Sequence, residues 1–274
     1  MALKDKVSTA LITDVGLTRG NNEDAVAEDI ELGLLVLADG MGGYNAGEIA
    51  SGIATSSILD VVRHKLKKLK RGAVDQHSGY CVESLLLREA VETANETIHQ
   101  LAQSQPQCAG MGTTVVSVLL HDDRLSIAHV GDSRLYRFRF GLLDQLTRDH
   151  SLLEEMVARG HYTREEAEGK VRKNIVTRAL GVEPSVEVDL IEETLEVGDV
   201  LLICSDGLSD MVPDHAITSS LSQHAAGDLN AAARALIDSA LEAGGKDNVS
   251  VVLARVDASL SRGQKWYHRL LEWF

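Results

Sequence analysis

The sequence predicts an α+β fold of mostly antiparallel sheets covered by helices in pairs. Three observations carry this: β-branched runs follow one another with short turns, helix-period patterns come two at a time, and several strands end in aspartate. Residues 34–43, LLVLADGMGG, show the last feature, an apolar run ending in Asp39, Gly40 and two more glycines. LLICSDGL at 201–208 repeats it, and SIAHVGDSR at 126–134 places a glycine before the acid.

Taken in order, Val7 to Val15 reads as a first strand, followed by the polar, turn-rich GLTRGNNED and strand-like runs around Ala25–Asp29 and Leu32–Ala38. A helix is expected over residues 44–68, because Ala46, Ile49, Ala50, Ile53, Ala54, Ile58, Val61, Val62 and Leu66 follow three- and four-residue steps. Leu85, Leu86, Ala90, Val91, Ala94, Ile98 and Leu101 predict a second helix over 82–104, ending before Pro106. From Thr113 to Leu146 short apolar runs with turns at HDDR and RFG predict an antiparallel meander. Residues 148–181 are polar and helix-prone, with too little apolar surface for a core element, and read as an insertion lying over the surface. Strands resume at Ser185–Ile191 and Val200–Cys204, helices follow near 213–223 and 228–243, and Val249–Val256 closes the domain. This defines one domain over residues 1–257 and a tail over 258–274.

Composition limits the function. At 274 residues and 44% hydrophobic, the chain can bury a large core. Forty-one acids against 27 bases give a net charge of −14, which argues against a protein built to hold nucleic-acid phosphates. The basic stretch RHKLKKLKR at 63–71 falls at a helix end, where cations suit the macrodipole. No apolar run reaches about 18 residues, and Ala2–Ser8 lacks a signal peptide's apolar stretch, so a cytosolic protein is expected. Cys81, Cys108 and Cys204 are odd in number and set in apolar or helical surroundings, which predicts reduced core residues.

The acids at the sheet margins are Glu23 and Asp24 before a strand, Asp39, Asp132 and Asp206 after strands, and Asp247 opening the last one. A single Asp-Gly at a strand end is ordinarily a turn; recurrence at several strand margins is not explained that way. In an antiparallel arrangement these margins share an edge, and gathered carboxylates repel unless cations lie among them. Hard divalent ions such as magnesium or manganese fit, since no Cys or His group with zinc spacing accompanies the acids. Two such ions about 4 Å apart would activate a water and hold phosphoryl oxygens. They would also supply the positive field that the chain lacks, and Arg19 offers a bidentate partner for phosphate. Gly40 leaves its backbone carbonyl free to approach an ion.

The ordered motifs TRGNNEDA, LADGMGG, GMGTT, HVGDSRLYR, LTRDHS, TRALG, CSDGLSD and KDNVSVV, spread over residues 7–257, resemble the bacterial form of the metal-dependent protein serine/threonine phosphatases, type 2C. The resemblance implies a four-layer α-β-β-α sandwich with a two-metal site at one end of the sheets. By position, Asp39 bridges both metals, Asp206 and Asp247 complete the first, and the Gly40 carbonyl with Glu23 through water holds the second. Asp24 and Asn248 stand behind these ligands, Arg19 binds phosphate, and Asp132, Asp206 and Asp210 match a looser third metal site. Residues 148–181 correspond to the family's flap. The implied activity is hydrolysis of phosphoserine and phosphothreonine on proteins by attack of the metal-bridging hydroxide, with a serine/threonine kinase or its substrates as phosphorylated partner.

Many eukaryotic members carry a histidine where this chain has Met41, which cannot protonate a leaving alcohol. Metal-bound water is then the first choice of acid, with His150 or His161 second. A phosphoprotein-binding regulator without turnover and a small-molecule phosphatase are the alternatives on the same fold. The segment GQKWYHRLLEWF at 263–274 concentrates four aromatics beside a few cations and predicts packing or partner docking more than a lipid anchor.

Overall fold

The computed structural model describes residues 2–43, 46–172 and 175–261. Eleven strands are described in this range: β1 Val7–Asp14, β2 Asp24–Asp29, β3 Leu34–Met41, β4 Gly112–Thr113, β5 Val115–His121, β6 Arg124–Val130, β7 Arg134–Arg139, β8 Leu142–Gln145, β9 Asp189–Thr194, β10 Val200–Cys204 and β11 Val249–Val256. The helices are α1 Ala46–Lys65, α2 Val82–Ser104, α3 Leu152–Ala158, α4 Arg164–Lys170, α5 Asp206–Ser209, α6 Asp214–His224 and α7 Leu229–Glu242. The aromatic tail from residue 262 onward lies outside the described residues, so its expected docking role has no structural counterpart here.

Two antiparallel sheets stack face to face. One has the order β1-β11-β10-β7-β8; the other runs β2-β3-β5-β6-β9, with β4 pairing β3 at its margin. Leu35, Leu37, Val116, Val118, Leu201, Ile203 and Val252 interdigitate between the sheets. The outer face of the second sheet packs on α1 and α2 through Ala50, Ala54, Ile58, Leu87, Val91 and Ile98. The outer face of the first packs on α6 and α7 through Leu202, Ile217, Leu221, Leu236 and Ile237. This is the expected α-β-β-α sandwich. It explains why Leu34–Ala38 and Val200–Cys204 read as unbroken apolar runs: central strands of a four-layer molecule are buried on both faces, and alternation disappears.

Three details differ from expectation, each for a physical reason. β3 runs on through Asp39 and Gly40 to Met41, because Asp24 on β2 and Thr113 on β4 continue its ladder. Asp39 therefore sits inside a strand and not beyond its tip. The stretch from 113 to 146 is not one meander. β5 and β6 pair in one sheet, whereas β7 pairs β10 and β8 in the other. The switch occurs at Gly131, whose φ of +110° and close approach to Thr114, 2.4 Å from where a Cβ would lie, leave no room for a side chain. Finally, β9 begins at Asp189, four residues later than the start expected from the apolar run, since only from there does β6 offer a partner.

The insertion does lie over one end, but it is anchored. Leu153, Ala167 and Leu180 are buried, Thr163 and Glu166 form a reciprocal cap at the start of α4, and Ser151 caps α3. Cys81, Cys108 and Cys204 are all buried and free, as expected.

Candidate active site

The two sheets meet at the end where β3 stops, and both deliver acids to it. Asp24 and Asp39 face each other across the β2–β3 ladder of one sheet. Asp206 follows β10 at the start of α5, and Asp247 precedes β11, both belonging to the other sheet. Asp24 joins the layers: its Oδ2 accepts hydrogen bonds from Ser205 Oγ at 2.9 Å and Ser250 Oγ at 2.6 Å, while its buried Oδ1 has no partner. Asn248 makes a second seam. Its Oδ1 accepts the Glu23 N–H at 2.8 Å, and its Nδ2 donates to the Val15 and Asn21 carbonyls at 3.0 and 2.9 Å.

The strand carrying Asp39 is pinned by its neighbour. The Asp39 carbonyl accepts from the Thr114 N–H at 2.9 Å and from Thr113 Oγ1 at 2.8 Å. Gly40 is needed here for a reason the sequence did not disclose. A Cβ at this position would lie 2.2 Å from the Gly47 carbonyl oxygen and 2.6 Å from that of Glu23, so strand and helix start touch backbone to backbone. Gly47 in turn gives its side-chain space to the Glu23 carboxylate, which accepts a backbone N–H of Gly47 at the positive end of α1.

Electrostatics show that these acids share one field. Burial, followed by the charges of Asp24, Asp206, Asp132 and Asp247, pushes the Asp39 carboxyl well above the usual carboxylate range. Burial and then Asp132, Asp247, Asp210 and Asp24 raise Asp206 to about 8. Asp24 is raised to about 6, chiefly by burial against the opposing effect of its two serine donors. Asp132 also reaches about 6, by burial and then by Asp149. Glu23 is raised by burial and pulled back by Arg19. Arg19 donates from Nη2 to Asp247 Oδ2 at 2.7 Å from an exposed position at the rim.

Each sequence-predicted site residue therefore falls at this end. Asp132, Asp206 and Asp210 line a cavity of 710 Å³ together with Arg134, Arg148, Arg164 and the α3–α4 insertion. The ligand atoms that Asp39, Asp206 and Asp247 offer are oxygens throughout. That set suits hard divalent ions, and the residues present fit them.

The two histidines held in reserve behave differently. His150 is buried, its Nδ1 accepts the Gly131 N–H at 3.0 Å, and its Nε2 lies 3.1 Å from Asp189 Oδ2. With Nδ1 an acceptor, the ring proton sits on Nε2 and is held by Asp189. His161 is exposed between α3 and α4. Neither is poised toward the acids.

Sequence reasoning missed Ser205, Ser250, Gly47 and Thr114, which position the acids. The available signal was polar residues inside apolar strands, at Ser205 after LLIC and Ser250 within NVSVV.

The family model described as Protein phosphatase 2C matches residues 19–243. The chain belongs to the protein phosphatase 2C family. It is similar to the serine/threonine phosphatase stp of Listeria monocytogenes, 37% identical over 248 residues, covering 89% of this chain and 94% of that protein. Among solved structures, the serine/threonine phosphatase PstP/Ppp of Mycobacterium tuberculosis superposes with a TM-score of 0.81 at 36% identity, over 92% of this chain and all of that one. A PstP catalytic domain in complex with two manganese ions gives a TM-score of 0.77 at 36% identity, covering 92% and 99% of the two chains. The family's shared sandwich is thus the fold seen here.

Proposed function

We propose that this chain is a metal-dependent protein phosphatase that hydrolyses phosphoserine and phosphothreonine on proteins in the cytosol, opposing a bacterial serine/threonine kinase. The observation that carries the reading is the convergence of buried carboxylates from both sheets, Asp39 on one and Asp206 on the other, with Asp206 raising the proton affinity of Asp39 and Asp24, beside Asp39 on the first sheet, raising that of Asp206. Relatives named as serine/threonine phosphatases over most of their length support the substrate class.

Asp39, Asp206 and Asp247 would hold one divalent cation, and Asp39, the Gly40 carbonyl and Glu23 a second, with Asp132, Asp206 and Asp210 available to a third. Manganese or magnesium bound there supplies Lewis acidity, lowering the pKa of water and neutralising phosphoryl oxygens. Arg19 lies at the rim with one guanidinium nitrogen on Asp247, leaving its remaining donors to orient phosphoryl oxygens. Asp24 and Asn248 keep Asp39, Glu23 and Asp247 in register by tying one sheet to the other. Met41 has no proton to give, and His150 holds its own on Asp189, so the leaving alkoxide takes a proton from water. The cavity beneath α3 and α4 offers the phosphorylated segment a place to lie.

The test is phosphopeptide hydrolysis by purified protein in manganese, with and without chelator. Asp39→Asn and Asp206→Asn should each lower kcat by at least about a thousandfold while leaving the circular dichroism spectrum unchanged. Wild-type turnover in either variant would overturn the assignment. A phosphothreonine peptide should be cleaved in preference to phosphotyrosine peptides and to free phosphorylated metabolites; the opposite order would favour the small-molecule alternative.

A further inference from the structure

At the end of β5 remote from Asp39, a second polar group is buried beneath the N-terminus of α2. Cys81, Glu83 and His121 each offer a ligand atom within 4.8 Å of the others, and none is more than 2% exposed. His121 is the last residue of the seven-residue β5, roughly 20 Å of extended chain from the strand start beside Asp39. The phosphatase chemistry makes no use of this group.

Its hydrogen bonds leave acceptors without donors. Ser84 Oγ donates to Glu192 Oε1 at 2.6 Å, which takes its only hydrogen. The 2.7 Å contact between Ser84 and Ser126 then needs the Ser126 hydrogen, and the 2.9 Å contact between Ser126 and His121 Nε2 needs a proton on Nε2. The other ring nitrogen, Nδ1, is buried without a hydrogen-bond partner, 3.9 Å from Glu83 Oε1. Glu83 is alike: Oε1 accepts the Gly72 N–H at 2.9 Å, while Oε2 is buried without a donor. The Cys81 sulfur lies 3.8 Å from Nε2 of the His121 ring and 3.0 Å from Ser84 Oγ. Two unsatisfied acceptors beside a thiol, fully enclosed, would be costly with nothing between them.

We propose that Cys81, Glu83 and His121 form a structural site for a zinc-class divalent cation, distinct from the phosphatase centre. Sulfur, imidazole and carboxylate are the donor set zinc prefers, in contrast to the all-oxygen acids at the other end of the sheets. The Ser126 hydroxyl receiving Nε2–H is the outer partner that holds a ligating histidine in the correct tautomer. On binding, the Cys81 thiol releases its proton to solvent. The thiolate and Glu83 then balance the two charges of the cation, with Arg71 Nε 3.9 Å from Glu83 Oε1. The cation would fasten α2 and the chain before it, residues 71–81, to the β5–β6 hairpin. The other buried histidine pair, His129 and His150 with Asp189, is not equivalent: Arg178 Nη1 lies 2.6 Å from Asp189 and 3.2 Å from His150, and His150 Nδ1 is an acceptor.

Cobalt(II) added to chelator-treated full-length protein tests this, because a thiolate-to-cobalt charge-transfer band can arise only where sulfur is a ligand. The wild type should develop the band, its amplitude reaching that of one thiolate-bound cobalt per chain beside any cobalt held by the acidic centre, and zinc should abolish it by displacement. Cys81→Ser and Cys81→Ala should lose the band, and, with the acidic centre saturated by manganese, zinc should raise the melting temperature of the wild type but of neither variant. Both should retain manganese-dependent phosphopeptide hydrolysis, so failure here is separate from failure at the acidic centre. Absence of the band in the wild type, or its persistence in folded Cys81 variants, would sink the proposal.

Discussion

Arg19 shows how one residue can be both a brake and a tool. Its guanidinium donates to Asp247 at 2.7 Å, and charge from Glu23 and Asp206 adds to the attraction. The pair is half-exposed, so its worth to stability is small, on the order of 0.5 kcal/mol. Under the proposed function it offers phosphate a bidentate donor at the rim. Arg19→Ala should therefore raise KM for a phosphopeptide about tenfold and change kcat less, with little shift in melting temperature. Steady-state kinetics that leave KM unaltered would remove Arg19 from substrate binding. Asp24, by contrast, is buried under Ser205 and Ser250, and its role is to hold the sheets together at the place where the acids meet.

At the scale of elements, the decisive contact is between β3 and α1. The Gly40 backbone lies against the Gly47 carbonyl and the Glu23 carbonyl, a spacing that permits no methyl group. Gly40→Ala should cost roughly 2–4 kcal/mol in denaturant-midpoint measurements and depress turnover, because strand and helix must part and Glu23 moves with them. Gly43→Ala is the control. Nothing lies within 4 Å of its Cβ position, and its stability should match the wild type. Equal midpoints for the two variants would show that the contact relaxes freely. The α3–α4 insertion illustrates a different balance: polar on average, it is held down by Leu153, Ala167 and Leu180 and by the Arg164–Glu154 ion pair.

Across the whole molecule, the gathered acids tie stability to pH and to cations. Asp206 has a folded pKa of about 8 against 3.8 when free, and Asp39 is raised as well. Between these values the unfolded chain has already released protons that the native chain retains. The metal-free protein therefore loses stability as pH rises, the loss being complete above about pH 8. His129, lowered to about 3 by burial, acts in the opposite sense, destabilising as pH falls from 6.5 toward 3. Above about pH 7.5 the histidines are neutral in both states, and the acids set the slope until the buried Cys204 thiol, raised to about 12, adds a loss in the same direction as pH approaches 9. Thermal melts of chelated protein should fall between about pH 7 and 8.5, and saturating manganese should raise the melting temperature more at the higher pH. A flat profile, or an equal manganese effect at both values, would contradict a shared carboxylate field.

The sequence by itself determined the elements and their order, because helix and strand periods are local properties of side-chain spacing, and it named the acids through their recurrence at strand margins. Asp39, Asp206 and Asp247 were legible in this way, as was Gly40, although for a different reason than the one the fold supplies. Only the tertiary structure decided that β7 leaves the sheet of β6, that β3 extends through Asp39, and that Ser205 and Ser250 reach Asp24 from the other layer. Those facts depend on which strand lies beside which across hundreds of residues of chain. The bare acceptors of Glu83 and His121 likewise exist only once α2 closes over β5, since an unmet hydrogen bond is a property of an enclosure and not of any residue within it.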